Sequence, residues 1–168
     1  MKSLLGKVGV IILAVVIFYS YNAFAEIEIK YDRFKNMTVV KTVPKGGGTV
    51  RQPKLILIGF YDGQTPSRPP VCDLGFSVQS GSWAYLRCHS LNCLADGKPV
   101  ELPPSKHDGR VGRGYVIEQV YITIPLSIVE QLSKCEKVEF KLCNTEFSLS
   151  RYEMEDLKTF MEAFLEKK

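Results

Sequence analysis

The run Leu91-Asn92-Cys93-Leu94-Ala95, then Asp96-Gly97, then Lys98-Pro99-Val100-Glu101-Leu102, decides the fold class. Asp-Gly between two apolar-bearing segments predicts a two-residue hairpin, because a type I′ turn needs positive φ at both central positions. A second connection, His107-Asp108-Gly109-Arg110-Val111-Gly112-Arg113-Gly114, leads into Tyr115 to Ile124. There Val116, Val120, Ile122 and Ile124 share one strand phase, and Glu118 falls in the same phase. The whole stretch from Trp83 to Ile124 therefore reads as a β-meander.

Working outward toward the N-terminus, Cys72, Leu74, Phe76 and Val78 alternate with Asp73, Gly75, Ser77 and Gln79. That is the pattern of a half-buried strand. Between it and the hairpin the apolar phase changes: Leu86 and Cys88 share one parity, Leu91 and Cys93 the other. A β-bulge near His89 would reconcile them, since one extra residue flips every later side chain. Leu55 to Tyr61 is apolar on both phases, which predicts a central strand covered on both faces. Glu26 to Tyr31 alternates strictly, with Ile27, Ile29 and Tyr31 inward, and Met37 to Val43 reads as a second strand rich in Thr and Val. Lys45 to Thr49 is a glycine-rich connection without the spacing of a phosphate loop, and Asp62 to Pro70 carries too much Gly and Pro for regular structure.

Toward the C-terminus, Pro125 to Cys135 places Ile128, Val129, Leu132 and Cys135 on one helical face. Val138, Phe140 and Leu142 then alternate with Lys137, Glu139 and Lys141 as a strand. Ser150-Arg151-Tyr152-Glu153 fits a capping box, in which Ser and Glu satisfy free backbone amides reciprocally. Behind it Met154, Leu157, Phe160, Met161, Phe164 and Leu165 form one apolar stripe at helical spacing. Docking that stripe onto a sheet is worth on the order of 10 kcal/mol gross, before entropy is charged against it.

Residues 1–25 read as a leader to be set aside from the fold. Lys2 and Lys7 form a positive start, Val8 to Tyr19 an uncharged apolar run, and Ala23-Phe24-Ala25 a small-x-small cleavage site. The apolar run is shorter than the roughly 20 residues that cross a bilayer comfortably, so a membrane association is expected only if the leader is retained. The expectation is an exported protein, periplasmic or extracellular, with residues 26–168 as a single α+β domain. Of the 22 Lys and Arg, two lie in the leader, leaving 20 against 18 acidic residues in the 143 that follow. So small an excess calls for no nucleic-acid partner, and none is expected.

Five cysteines, Cys72, Cys88, Cys93, Cys135 and Cys143, leave at least one unpaired within a monomer. Cys72 and Cys88 are the first pair to test: a hairpin at Ser80-Gly81-Ser82 would lay their strands side by side. Cys88 with Cys93 is disfavoured, because five residues of strand span about 16 Å, beyond disulfide reach.

Catalytic signatures are missing from the sequence. It holds no nucleophile elbow, no paired-histidine zinc helix, no Walker loop and no dinucleotide fingerprint, so neither a metal nor a cofactor is expected. Cys88 beside His89 suggests a nucleophile and a base, but strand neighbours point to opposite faces. Two features remain. Lys106, His107, Arg110 and Arg113 gather cations and glycines in one segment, which suits either an anionic ligand or simply a wet turn. Glu118, in the apolar phase, is either a general acid raised by desolvation, or a carboxylate salt-bridged to a neighbouring Arg or escaping at a sheet edge.

Trp83-x-Tyr85-Leu86, Leu94-Ala95-Asp96-Gly97, Glu118-x-Val120, and Val138-Glu139 with Glu146-Phe147-Ser148-Leu149-Ser150 before the last helix resemble small, uncharacterised exported bacterial domains. The resemblance implies one α+β domain of the cell envelope and brings no catalytic residues. Together these readings predict a mostly antiparallel, curved sheet of about six to eight strands with two helices, the C-terminal one packed on one face. They favour a non-enzymatic binding domain, its partner an envelope protein or an anionic ligand. The alternative is a small envelope hydrolase or transferase using Glu118 with residues 106–114.

Overall fold

The computed structural model describes residues 25–164 apart from Pro66, Arg68 and Pro70; most of the leader and Leu165 of the helical stripe lie outside the described residues. The fold is α+β, with ten strands and two helices among the described residues. In chain order these are β1 (Glu26–Asp32), β2 (Met37–Val43), β3 (Lys54–Asp62), β4 (Val71–Ser80), β5 (Leu91–Ala95), β6 (Lys98–Val100), β7 (Lys106–Val111), β8 (Val116–Pro125), α1 (Leu126–Ser133), β9 (Val138–Leu142), β10 (Thr145–Ser148) and α2 (Arg151–Glu162). They form two sheets, one ordered β1-β2-β3-β4-β8-β7 and the other β10-β9-β5-β6. Every pairing is antiparallel.

The Asp96-Gly97 hairpin forms as expected, with φ of 49° and 75° at its two central residues. Asp96 has a second duty: its Oδ1 accepts the backbone N–H groups of Glu136 (3.0 Å) and Lys137 (2.8 Å), tying the hairpin to the link between α1 and β9. The expected continuous meander, however, is split. β5 and β6 belong to the four-stranded sheet, whereas β7 and β8 belong to the six-stranded one. Residues 81–90 are irregular and carry no strand, so the expected bulge at His89 has no ladder to interrupt. The change of apolar phase there marks a change of sheet.

One face of the six-stranded sheet carries Val40, Leu55, Leu57, Leu74, Phe76, Val120, Ile122 and Ile124, all fully buried. Two layers cover it. The four-stranded sheet packs over one part, with the Phe76 ring 4.8 Å from that of Phe140 and 4.9 Å from that of Phe147. Helix α2 packs against β2, β3 and α1 over another. Its capping box is complete, Ser150 Oγ accepting from the Glu153 amide and the Glu153 carboxylate accepting from that of Ser150. Leu157, Phe160 and Phe164 of the expected stripe are buried.

The opposite face of the sheet has no covering layer among the described residues, which corrects the expectation that β3 is covered on both sides. Leu55 and Leu57 are buried, while Ile56 and Ile58 on the other phase are only half-buried and Phe60 is exposed. An apolar phase on an uncovered face is the feature that matters most for function below.

Candidate functional site

Glu118 projects into the covered side of the six-stranded sheet and is 1 % exposed. Its two oxygens hold three partners. Oε2 accepts the Ala84 amide at 2.7 Å; Oε1 accepts the Tyr85 amide at 2.9 Å and lies 3.0 Å from His107 Nε2. The strand phase that sends Val116, Val120 and Ile122 inward also sends Glu118 there, and Gly109 opposite it leaves room. A carboxylate placed so is tolerable because each of its oxygens accepts a backbone amide.

The rest of the cluster builds on that tie. His107 is paired with Val120 in the β7–β8 ladder and so shares the inner face with Glu118. Its ring lies 6.0 Å from Trp83 and 5.9 Å from His89. Residues Trp83 to Tyr85 therefore form a strap drawn over the end of the sheet by a single side chain, and Tyr85 is buried beneath it. Tyr85 Oη also donates to the Val50 carbonyl at 3.2 Å, and burial pushes its phenol up.

Residues 106–114, read as one loop, divide into a strand and a turn. Lys106 to Val111 is β7, an edge strand, and Gly112 closes the following turn by donating to the Tyr115 carbonyl. Alternation then separates the candidates. Lys106, Asp108 and Arg110 face the uncovered side, His107 the covered side, and Arg113 sits in the turn. Only His107 and Glu118 meet. The carboxylate of Asp108 stands between the two strand cations, and Arg110 and Glu118 lie on opposite faces of the sheet.

The cysteine pairing also differs from expectation. Cys88 is bonded to Cys143, with Cα atoms 6.0 Å apart, and not to Cys72. The neighbour of β4 beyond its hairpin partner β3 is β8, so the chain after Ser80 never runs back alongside Cys72. The bond fixes the far end of the strap to the β9–β10 turn. Cys72 and Cys93 are buried free thiols, each pushed up to about 12, chiefly by burial. Cys135, less buried, is raised chiefly by desolvation and then by Asp96. Among the described residues no three His, Cys, Asp or Glu side chains gather to hold a metal ion.

On the uncovered face, rows run across the sheet through the ladder pairs. Ile56, Gly75, Tyr121 and Lys106 form one, and Lys41, Ile58, Asp73 and Thr123 the next. Phe60 is 37 % and Val71 44 % exposed, high for large apolar groups on neighbouring strands. Two shallow depressions of about 170 and 240 Å³ lie on this face and share Asp108 and Gln119. Sequence reasoning missed this surface. Its signal is the doubly apolar run Leu55 to Tyr61, a pattern that fits an exposed apolar face as well as a second covering layer. No known family model, curated protein or solved structure matches the chain.

Proposed function

We propose that this chain is a non-enzymatic binding domain of the bacterial cell envelope, exported through its leader, and that it engages a partner protein through the uncovered face of the six-stranded sheet. One observation carries the reading: Ile56, Ile58, Phe60, Val71 and Tyr121 occupy a face on which a solvated antiparallel sheet ordinarily presents polar side chains. These residues lie on the adjacent strands β3, β4 and β8, so from strand spacings the patch is about 10 Å by 14 Å, roughly 140 Å². A stable dimer interface needs about 800 Å² per partner, so the patch suits a short apolar segment of another protein better than a second copy. Asp73 stands within it beside Ile58, held by the Thr123 hydroxyl, and charges of both signs rim it, namely Lys41 paired with Glu28, and Lys106, Asp108 and Arg110. The Cys88–Cys143 bond is compatible with an oxidising compartment.

A second reading, acid–base chemistry by Glu118, has the 3.0 Å contact to His107 in its favour. Against it, both carboxylate oxygens already hold backbone amides, and Arg110 lies on the far face. The readings separate by photocrosslinking in the native envelope. A benzophenone side chain at position 60 should give a protein adduct, and the same probe at Lys158 should not. Ile58→Lys should remove the adduct without lowering the melting temperature. Equal labelling at both positions, or none at position 60, would refute the binding face.

A further inference from the structure

Asp156 is the one aspartate of the described residues that is buried, at 7 % exposure, and it lies on α2 among charged neighbours. Its Oδ1 accepts the backbone N–H of Ala25 at 3.0 Å, a contact spanning 131 positions of sequence. On the export reading proposed above, on which this inference rests, Ala25 is the last residue before the expected cut after Ala23-Phe24-Ala25, and β1 begins at the next residue. From this juxtaposition we propose that Asp156 is the docking carboxylate for the amino terminus that leader removal creates, so that processing converts an amide contact into an ion pair.

The chemistry is a peptide hydrolysis. Water adds across the Ala25–Glu26 bond, its hydroxyl going to the Ala25 carbonyl carbon and a proton to the Glu26 nitrogen. That amine takes up a further proton from solvent to become an ammonium. The Ala25 N–H departs with the leader, which would leave a buried carboxylate without its backbone donor. The new ammonium starts one residue along the chain, about 3.8 Å away by the spacing of consecutive Cα atoms. Among the described residues β1 is an edge strand with β2 as its one neighbour, so its first residue can make that move without breaking an interior ladder.

The surroundings of Asp156 favour such a partner. Burial pushes its carboxyl up, and the Ala25 N–H offsets this only in part. Glu153 and Glu155 on the same helix raise it further, and Lys54 at the start of β3 opposes them. An added cation compensates a desolvated carboxylate better than a neutral amide does. Closure of β1 against α2 would then be stronger in the processed chain than in its precursor.

The test uses the full chain, expressed with its own leader and purified after export. Intact mass must place the mature start at Glu26; a different start overturns the processing step while leaving the binding face untouched. Acylation of the α-amine, followed against pH, should give a pKa about one unit above the ordinary 7.7–8.0. In Asp156→Asn that value should return to the ordinary range, and Nα-acetylation should lower the melting temperature of the parent by about 3 °C. An α-amine that titrates normally in the parent overturns the proposal, whether or not Asp156→Asn folds.

Discussion

The indole of Trp83 lies so close over Gly109 that a Cβ added there would stand 2.4 Å from Cζ3 of the ring. Gly109 is the strand position opposite Glu118 in the β7–β8 ladder, so the absent side chain is what lets the strap lie down over the buried carboxylate. Gly109→Ala should lift Trp83 and cost about 1–3 kcal/mol, the usual range for overpacking a tight contact. Trp83 is the single tryptophan of the chain, so its fluorescence reports the strap directly. The expected result is a red-shifted emission together with a lower urea midpoint. An unshifted spectrum would mean that the strap is not held at this point.

Glu118→Gln tests the other half of the same clasp. The amide oxygen can still accept one backbone N–H, but the NH₂ group confronts a second donor where the carboxylate accepted it. One buried donor left unsatisfied costs about 1–3 kcal/mol. Denaturant melts of Glu118→Gln should fall within that range, and Trp83 emission should move as in Gly109→Ala. If instead stability is untouched while binding or turnover is lost, Glu118 belongs to a working site and the structural assignment fails.

For the cysteines, the expected reactivity order follows from burial. At pH 8 iodoacetamide should modify Cys135 in the folded protein and leave Cys72 and Cys93 unmodified, because thiols held near 12 carry almost no thiolate at that pH. All five should react after reduction in denaturant. Reducing Cys88–Cys143 opens a link across 55 residues, for which the chain-entropy relation gives about 4 kcal/mol of lost stability. Mass spectrometry of the alkylated chain and a melt in reductant check the two statements. A second native bond, or no change on reduction, would contradict them.

Several elements were legible in the sequence because the deciding interactions are local. The Asp96-Gly97 turn, the Ser150–Glu153 box and the stripe through Leu157 and Phe160 each depend on residues a few positions apart. The phase of Glu118 was legible for the same reason, since alternation alone buries it. What it holds was not: Ala84 and Tyr85 are more than thirty positions away, in a segment with no periodicity of its own. The assignment of β5 to one sheet and β8 to the other was equally hidden, because strand alternation says which side chains are buried but not against which sheet. The Cys72–Cys88 expectation failed on that point. It required residues after Ser80 to pair with β4, and β8 takes that place instead.

The last prediction concerns α2, where packing and pattern agree. Phe160 is completely buried, with its ring 5.1 Å edge-to-face from that of Phe164, which in turn lies 6.2 Å from Tyr61 of β3. Lys158 lies on the wet side of the helix, its ammonium 3.3 Å from Glu155 in an exposed pair. Truncating a buried Phe removes its transfer energy and leaves a void, so Phe160→Ala should cost about 3–5 kcal/mol. That is a large share of the roughly 5–15 kcal/mol a domain of this kind holds in reserve. Lys158→Ala should change stability by less than about 0.5 kcal/mol, since exposed pairs contribute little. Urea melts of both variants decide the matter. A Phe160→Ala protein that melts like its parent but no longer captures an envelope partner would move the binding surface from the uncovered sheet face to this helix.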